Sequence, residues 1–286
     1  VTFPVMTRSV RIGDWTFGQE LDFLLIAGSC AIESEDHAMR IAVSLRDFAE
    51  KAGVPLLFKA SYDKANRTSC ASFRGPGKEE GLRILARIRN EVGVKILSDV
   101  HAVEEVEAAG EILDVIQTPA YLCRQTDLLT AVGRTGKAVN VKKGQFLAPS
   151  DMAHVLQKVR STGNENILIT ERGSCFGYNQ LVSDMRALPI MRDLGFPVVF
   201  DASHSVQLPG GRGDVSDGQR EFILPLARAA VAVGVDGIFI EVHDQPDKAR
   251  CDGPNSLPLE QVPEFLDQVL RIREMVRDWE GGPCGE

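Results

Sequence analysis

Six cations stand at or just past the ends of short, mostly β-branched runs: Lys59, Lys64, Arg67, Lys142, Lys143 and Arg172. Arginine forks onto carboxylate or phosphate oxygens and lysine adds a point charge, so such a set can hold one or two anionic groups. Taken singly, each is as readily a solvated surface residue. Six after strand ends argue for the anions. Other polar residues that a core does not need fall at equivalent places: Asp99 and His101, Gln117, Glu171, Asp201 and His204, and Glu241 and His243.

A second constellation offers metal-ligand chemistry. Cys30, His204, Glu241 and Asp252 supply one thiolate, one imidazole and two carboxylates. A mixed S/N/O set suits a divalent transition ion such as Zn, Fe or Mn, with room for water. The four are far apart in the chain, and a lone cysteine after a strand is also an ordinary small buried side chain. Spacing alone leaves both readings open. The stretch Pro209-Gly210-Gly211-Arg212-Gly213-Asp214 lacks the Walker lysine and the dinucleotide spacing, which argues against a nucleotide. It reads as a flexible active-site loop or as a plain surface turn.

The elements that must position these residues alternate along the chain. Strands are predicted at Phe23–Ala27, Pro55–Lys59, Val94–Ser98, Ile112–Ile116, Ala138–Val141, Asn166–Thr170, Pro197–Asp201 and Gly237–Glu241. Between them apolar residues recur at helical spacing, as in Leu82, Leu85, Ile88 and Val92. Strand-then-helix alternation implies parallel strands with crossover helices. Eight units in a chain of 286 residues fit a closed barrel better than a doubly wound sheet, and in a barrel all strand ends share one face. Ahead of the first barrel strand, Val10–Ile12 and Trp15–Phe17 flank Gly13-Asp14, a two-residue hairpin turn that would plug the barrel's bottom.

Bulk properties agree with this. The chain is 44% hydrophobic and 25% charged, the composition of a globular protein with a full core. No linker or charge block divides it, so residues 1–286 read as one domain, with the hairpin inside 1–20 and a frayed tail at 280–286. A net charge of −8 argues against a nucleic-acid partner. No apolar run approaches a membrane span, and no basic leader precedes an apolar stretch, so neither a membrane partner nor a secretory signal is expected. The six cysteines have no CxxC or framework spacing, which points to reduced thiols and a cytoplasmic enzyme.

With these residues assembled, the sequence resembles the 3-deoxy-D-manno-octulosonate 8-phosphate synthases along nearly its whole length. The matching segments include Ala27-Gly-Ser-Cys-Ala-Ile-Glu-Ser34, Phe58-Lys-Ala-Ser-Tyr-Asp-Lys-Ala-Asn-Arg67 and Phe73-Arg-Gly-Pro-Gly77. Others are Cys123-Arg-Gln-Thr-Asp127, Asn140-Val-Lys-Lys-Gly-Gln-Phe146, Glu171-Arg-Gly173 and Asp201-Ala-Ser-His-Ser-Val-Gln207. The resemblance implies a (β/α)8 TIM barrel with a short N-terminal β-hairpin. It implies a transferase condensing phosphoenolpyruvate with arabinose 5-phosphate and water for the Kdo of lipopolysaccharide.

By position, Lys59, Lys64, Lys142 and Arg172 would cradle phosphoenolpyruvate, helped by Ser61 and Gln117. Asn66, Arg67 and Thr68 would bind the aldose phosphate, although the family usually has Ser at Thr68. Lys64, Asp99, His101 and His204 would stand at the reacting centre. Arg124 would reach across a subunit interface in a homotetramer.

The family has metal-dependent and metal-independent branches. Cys30 points to the first, with Cys30, His204, Glu241 and Asp252 holding Zn, Fe, Mn or Co; the second carries Asn there. Cys251-Asp252-Gly253-Pro254 instead resembles the metal-free version of that loop. The rival enzyme is the related seven-carbon synthase, 3-deoxy-D-arabino-heptulosonate 7-phosphate synthase. It uses erythrose 4-phosphate and favours Lys-Pro-Arg-Thr where this chain has Lys64-Ala65-Asn66-Arg67. A rival from another class is an inactive phosphosugar-binding barrel.

Overall fold

A computed structural model describes residues 7–18, 23–67, 69–210 and 217–281, with side chains to residue 277. Thr68, residues 211–216 of the glycine-rich stretch and 282–286 of the expected tail lie outside the described residues, as do 1–6, 19 and 20 around the hairpin.

The hairpin forms as expected: β1 (Val10–Ile12) pairs antiparallel with β2 (Trp15–Phe17). Gly13 supplies φ +61° at the first central position of the turn, where a side chain would be strained. The barrel then begins with β3 (Leu24–Gly28), α1 (Glu35–Ala52), β4 (Leu56–Lys59), α2 (Lys78–Val92), β5 (Lys95–Asp99), α3 (Val106–Ile112) and β6 (Val115–Thr118). It continues through α4 (Thr126–Arg134), β7 (Ala138–Lys142), α5 (Met152–Arg160) and β8 (Ile167–Glu171).

A small hairpin, β9 (Ser174–Gly177) with β10 (Gln180–Val182), follows β8 and was not anticipated. After it come α6 (Ala187–Arg192), β11 (Val198–Asp201), the short pair β12 (Gln207–Leu208) and β13 (Asp217–Gly218), α7 (Ile223–Val233), β14 (Gly237–His243) and α8 (Val262–Gly281). Eight strands, β3 to β8 with β11 and β14, pair in parallel, and β14 closes the ring by pairing with both β11 and β3. Among the described residues no helix is long and apolar enough to cross a membrane.

Most strands begin one residue later than their sequence runs, but the fourth begins three later. Ile112 ends α3, and Asp114 lies before β6, accepting from the Ile96 amide at 2.8 Å. A short apolar run carries no period that separates a helix end from a strand start.

Side chains alternate across each strand. Leu25, Phe58, Ile96, Ile116, Val139 and Ile169 face the helices. Leu24, Leu57, Leu97, Val115, Leu168, Val199 and Phe239 face inward, where Val10, Ile12 and Phe17 of the hairpin fill the lower barrel. Local signals set the helix limits. Ser34 Oγ caps the His37 amide at 3.2 Å, Glu35 and Asp36 occupy the first turn, and Gly53 at φ +68° ends α1. Because the strands are parallel, Lys59, Asp99, Gln117, Lys142, Glu171, Asp201 and Glu241 all arrive at one rim.

Candidate active site

At that rim a cleft of about 50 Å³ is lined by Lys59, Lys64, Asn66, Asp99, Gln117, Lys142, Arg172 and His204, with Pro119 to Tyr121 on one wall. Four cations therefore converge on one small space. Lys59, at the end of β4, donates to the Cys30 carbonyl at 2.9 Å and to Glu241 Oε1 at 3.0 Å. A Cβ on Gly28 would sit 1.9 Å from the Lys59 carbonyl oxygen, so glycine is required where β3 passes this lysine. Lys142 is bonded to the Asp201 carboxylate, and its ammonium lies 3.6 Å from the centre of the Phe239 ring. Burial lowers the Lys142 pKa to about 8, with Lys59 and Arg172 adding repulsion and Asp201 opposing the fall.

Arg172 donates to the His204 carbonyl and to Gln207 Oε1, each at 3.0 Å, while its buried Nε has no partner. Gln117 is oriented by a ladder across three strands: Thr170 Oγ1 donates to Asn140 Oδ1 at 2.6 Å, and Asn140 Nδ2 donates to Gln117 Oε1 at 2.9 Å. The Gln117 amide nitrogen is thus the end left for a ligand.

Beside the cleft, Asp99 accepts from Ser61 Oγ and pairs with His101 Nε2 at 3.0 Å. Glu105 steadies that pair, accepting from the His101 amide at 2.9 Å and from the Tyr62 hydroxyl at 2.7 Å. Burial works against the His101 cation, but Asp99 and Glu105 outweigh it and raise the imidazole to about 9. Burial likewise opposes the Asp99 charge, yet His101 and Lys64 hold that carboxyl well below its ordinary value. At neutral pH this is an imidazolium–carboxylate pair.

The four proposed metal ligands gather around Asp252. His204 Nε2 lies 3.3 Å from Glu241 Oε1 and 3.8 Å from Asp252 Oδ2, and Cys30 Sγ lies 3.4 Å from Asp252 Oδ2. His204 Nδ1 faces Asp201 Oδ2 at 2.7 Å, while Asp201 Oδ1 accepts the His204 amide at 2.8 Å. A carboxylate on one ring nitrogen fixes the tautomer and turns the other lone pair toward a metal. Burial, then the Lys142 charge, keeps His204 below its ordinary pKa despite the two carboxylates, as a neutral ligand requires. Glu241 Oε2 is buried without a partner. Burial, with Cys251 and Asp252 beside it, pushes the Cys30 thiol well up. The donor set therefore fits a divalent ion.

Other expected residues fall elsewhere. Lys143 turns out of the barrel, since consecutive strand residues face opposite ways. Its ammonium is fully buried on the Gly144 and Leu147 carbonyls and Ser174, 3.5 Å from Glu171, so it does not belong with the mouth cations. Ser61, His101, Arg67 and Arg124 are absent from the cleft lining. Arg67 instead contacts Cys251 and Asp252, at the edge of a larger cavity of about 1080 Å³. That cavity is lined by five carboxylates and three arginines. Arg124 is exposed, with its carbonyl accepting from Lys158. His243 turns toward α1 and meets Glu33 and His37. Asp201 and Glu105 were not placed in the site from sequence. The strand-end position of Asp201 was visible, but its hold on both Lys142 and His204 was not.

The profile of the DAHP synthetase I family matches residues 3–278. The chain is 58% identical over 272 residues to the 2-dehydro-3-deoxyphosphooctonate aldolase of Geobacter metallireducens, covering 95% of this chain and 100% of that protein. It is similar to the same degree to the protein of that name from Geobacter sulfurreducens. The one from Syntrophotalea carbinolica is 58% identical over 95% of this chain and 98% of its own length.

Proposed function

The chain belongs to the DAHP synthetase I family, and we propose that it is one of that family's 2-dehydro-3-deoxyphosphooctonate aldolases. It condenses phosphoenolpyruvate with arabinose 5-phosphate and water, releasing phosphate and 3-deoxy-D-manno-octulosonate 8-phosphate for Kdo biosynthesis. The observation that carries this reading is the convergence of Lys59, Lys64, Lys142 and Arg172 on one small cleft in an acidic protein.

These cations hold the carboxylate and phosphate of phosphoenolpyruvate, with Arg172 Nε as a donor not otherwise engaged. Preorganised charge of this kind favours phosphate departure by C–O cleavage. Asn66, Arg67 and Thr68 take the aldose phosphate, and Gln117 offers its amide nitrogen toward the reactants. C3 of phosphoenolpyruvate attacks the aldehyde as C2 gains positive character and takes up water. The His101 imidazolium, steadied by Glu105, orients the Asp99 carboxylate on the cleft wall. Ser61 acts through Asp99. A divalent ion on Cys30, His204, Glu241 and Asp252 would supply positive charge near the aldehyde oxygen and the water. Asp201 keeps His204 in the ligating tautomer.

The protein works in the cytoplasm, a reading supported by free thiols at Cys30, Cys70, Cys123, Cys175 and Cys251. It works as a homotetramer, with the exposed Arg124 completing a neighbour's site. Phosphate release from phosphoenolpyruvate, measured with each aldose phosphate, tests the reading. Arabinose 5-phosphate is expected to exceed erythrose 4-phosphate by orders of magnitude in kcat/KM, because a lost buried hydrogen bond costs about 10⁴-fold or more. Equal values would sink the assignment, a preference for erythrose 4-phosphate would make it the seven-carbon enzyme, and no turnover with either would make it an inactive barrel. Sedimentation of an active monomer at assay concentration would remove the role of Arg124.

A further inference from the structure

Two ligand groups at the mouth share Asp252, and one of them contains a sulfur outside the four-residue set. Cys251 Sγ, Cys30 Sγ and an Asp252 carboxylate oxygen all lie within 4.8 Å of one another. His204, Glu241 and Asp252 form the other such group. The 3.4 Å between Cys30 Sγ and Asp252 Oδ2 is close to the spacing of two ligand atoms around one tetrahedral ion with bonds of about 2.0–2.3 Å.

Both thiols are 4% exposed and pack with Ala31 against Phe73. Arg67 donates to Cys251 Sγ at 2.9 Å, which fixes the sulfur on the side facing Cys30 and Asp252. The backbone is arranged for this. Asp252 stands at φ +50° just before the one-turn segment Gly253–Asn255, a left-handed placement that costs a residue with a side chain on the order of 1 kcal/mol. Such strain persists where the surroundings fix it, and here it accompanies neighbouring side chains that both approach Cys30.

We propose that Cys251 is a second sulfur ligand of the metal centre, so that the site presents two thiolates and selects Zn²⁺ or Fe²⁺ over Mn²⁺. Soft sulfur donors favour the thiophilic ions, whereas carboxylate-rich sites suit Mn²⁺. The inference rests on the metal reading above and names the ion it prefers.

The test loads the full-length, metal-stripped, reduced protein with Co²⁺ and no substrate. Sulfur-to-cobalt charge-transfer absorption then reports the number of Co–S bonds. Cys251→Ser and Cys30→Ser should each remove about half of that absorption, one sulfur of two. Competition titration should show the Zn²⁺-over-Mn²⁺ preference falling by about tenfold or more in Cys251→Ser. Should Cys251→Ser keep the full absorption and preference while Cys30→Ser abolishes the band, Cys251 is not a ligand, although the centre itself stands. No band from the wild type would overturn the metal reading and this inference together. X-ray absorption of the Zn²⁺-loaded wild type needs no variant to fold: two sulfurs at about 2.3 Å support the proposal, and one sulfur overturns it.

Discussion

The two ends of the barrel's interior are made by the same strands and have opposite contents. Below lie Leu57, Leu97, Val115, Val199 and Phe239, packed on Val10, Ile12 and Phe17. Two residues further along each strand, on the same face and about 7 Å higher, stand Lys59, Asp99, Gln117, Asp201 and Glu241. The lower layer stabilises by removing hydrocarbon from water. The upper layer buries ion pairs, Lys59 with Glu241 and Lys142 with Asp201, whose desolvation offsets much of their attraction. One layer holds the fold and the other holds charge ready for a ligand.

That division can be broken experimentally. Removing the metal should act only above: chelation, or Cys30→Ala, is expected to reduce turnover by about 10³-fold or more while the near-ultraviolet circular dichroism is retained. Mn, Fe, Co or Zn should restore the chelated enzyme to differing degrees, and full activity with negligible metal by elemental analysis would refute the requirement. Phe17→Ala should act only below, costing about 3–5 kcal/mol in denaturant unfolding, with kcat and KM of the folded fraction nearly unchanged. A large KM effect there would show that the two ends are coupled.

Arg172→Ala tests the upper layer with little risk to the fold, because its protein acceptors are a carbonyl and an amide and no buried carboxylate is stranded. It is expected to lower kcat/KM by about 10–100-fold or more with the melting temperature within a few degrees of wild type. Kinetics like wild type would remove it from the cradle. The finest test is pH. As pH rises through about 8, substrate-free protein loses the Lys142 cation, so kcat/KM should fall, and Lys142→Arg should flatten that limb. Stability runs the other way: the unfolded lysine keeps its proton to its ordinary value of 10.5, so between the two pH values this residue's contribution to stability grows.

Much of this was legible because the chain punctuates itself. An apolar run followed by a polar residue, eight times over and charged in six of them, fixes a parallel barrel and puts those residues on one rim, and Gly13-Asp14 announces the hairpin. What failed had no local signature. Nothing between Ile112 and Ile116 says where a helix stops and a strand starts. Adjacent lysines 142 and 143 look alike until the strand's pleat separates them. The hairpin β9–β10 turns on Tyr178 and Asn179 at φ +50° and +62°, where glycine would have given warning. The pairing of Cys251 with Cys30 joins opposite ends of the chain, and only the closed ring brings them together.

The seam between β3 and β14 also sets a timetable. The first barrel strand made on the ribosome finds its closing neighbour only when the last one emerges. At about 5–20 residues per second that wait is on the order of ten seconds or more. For that interval the apolar β3, whose five residues are all buried in the finished protein, has one open hydrogen-bonding edge, and the hairpin has no Phe239 to rest on. An exposed edge of this kind invites pairing with another chain. During synthesis of this barrel, pairing of that open edge with another chain competes with closure of the ring.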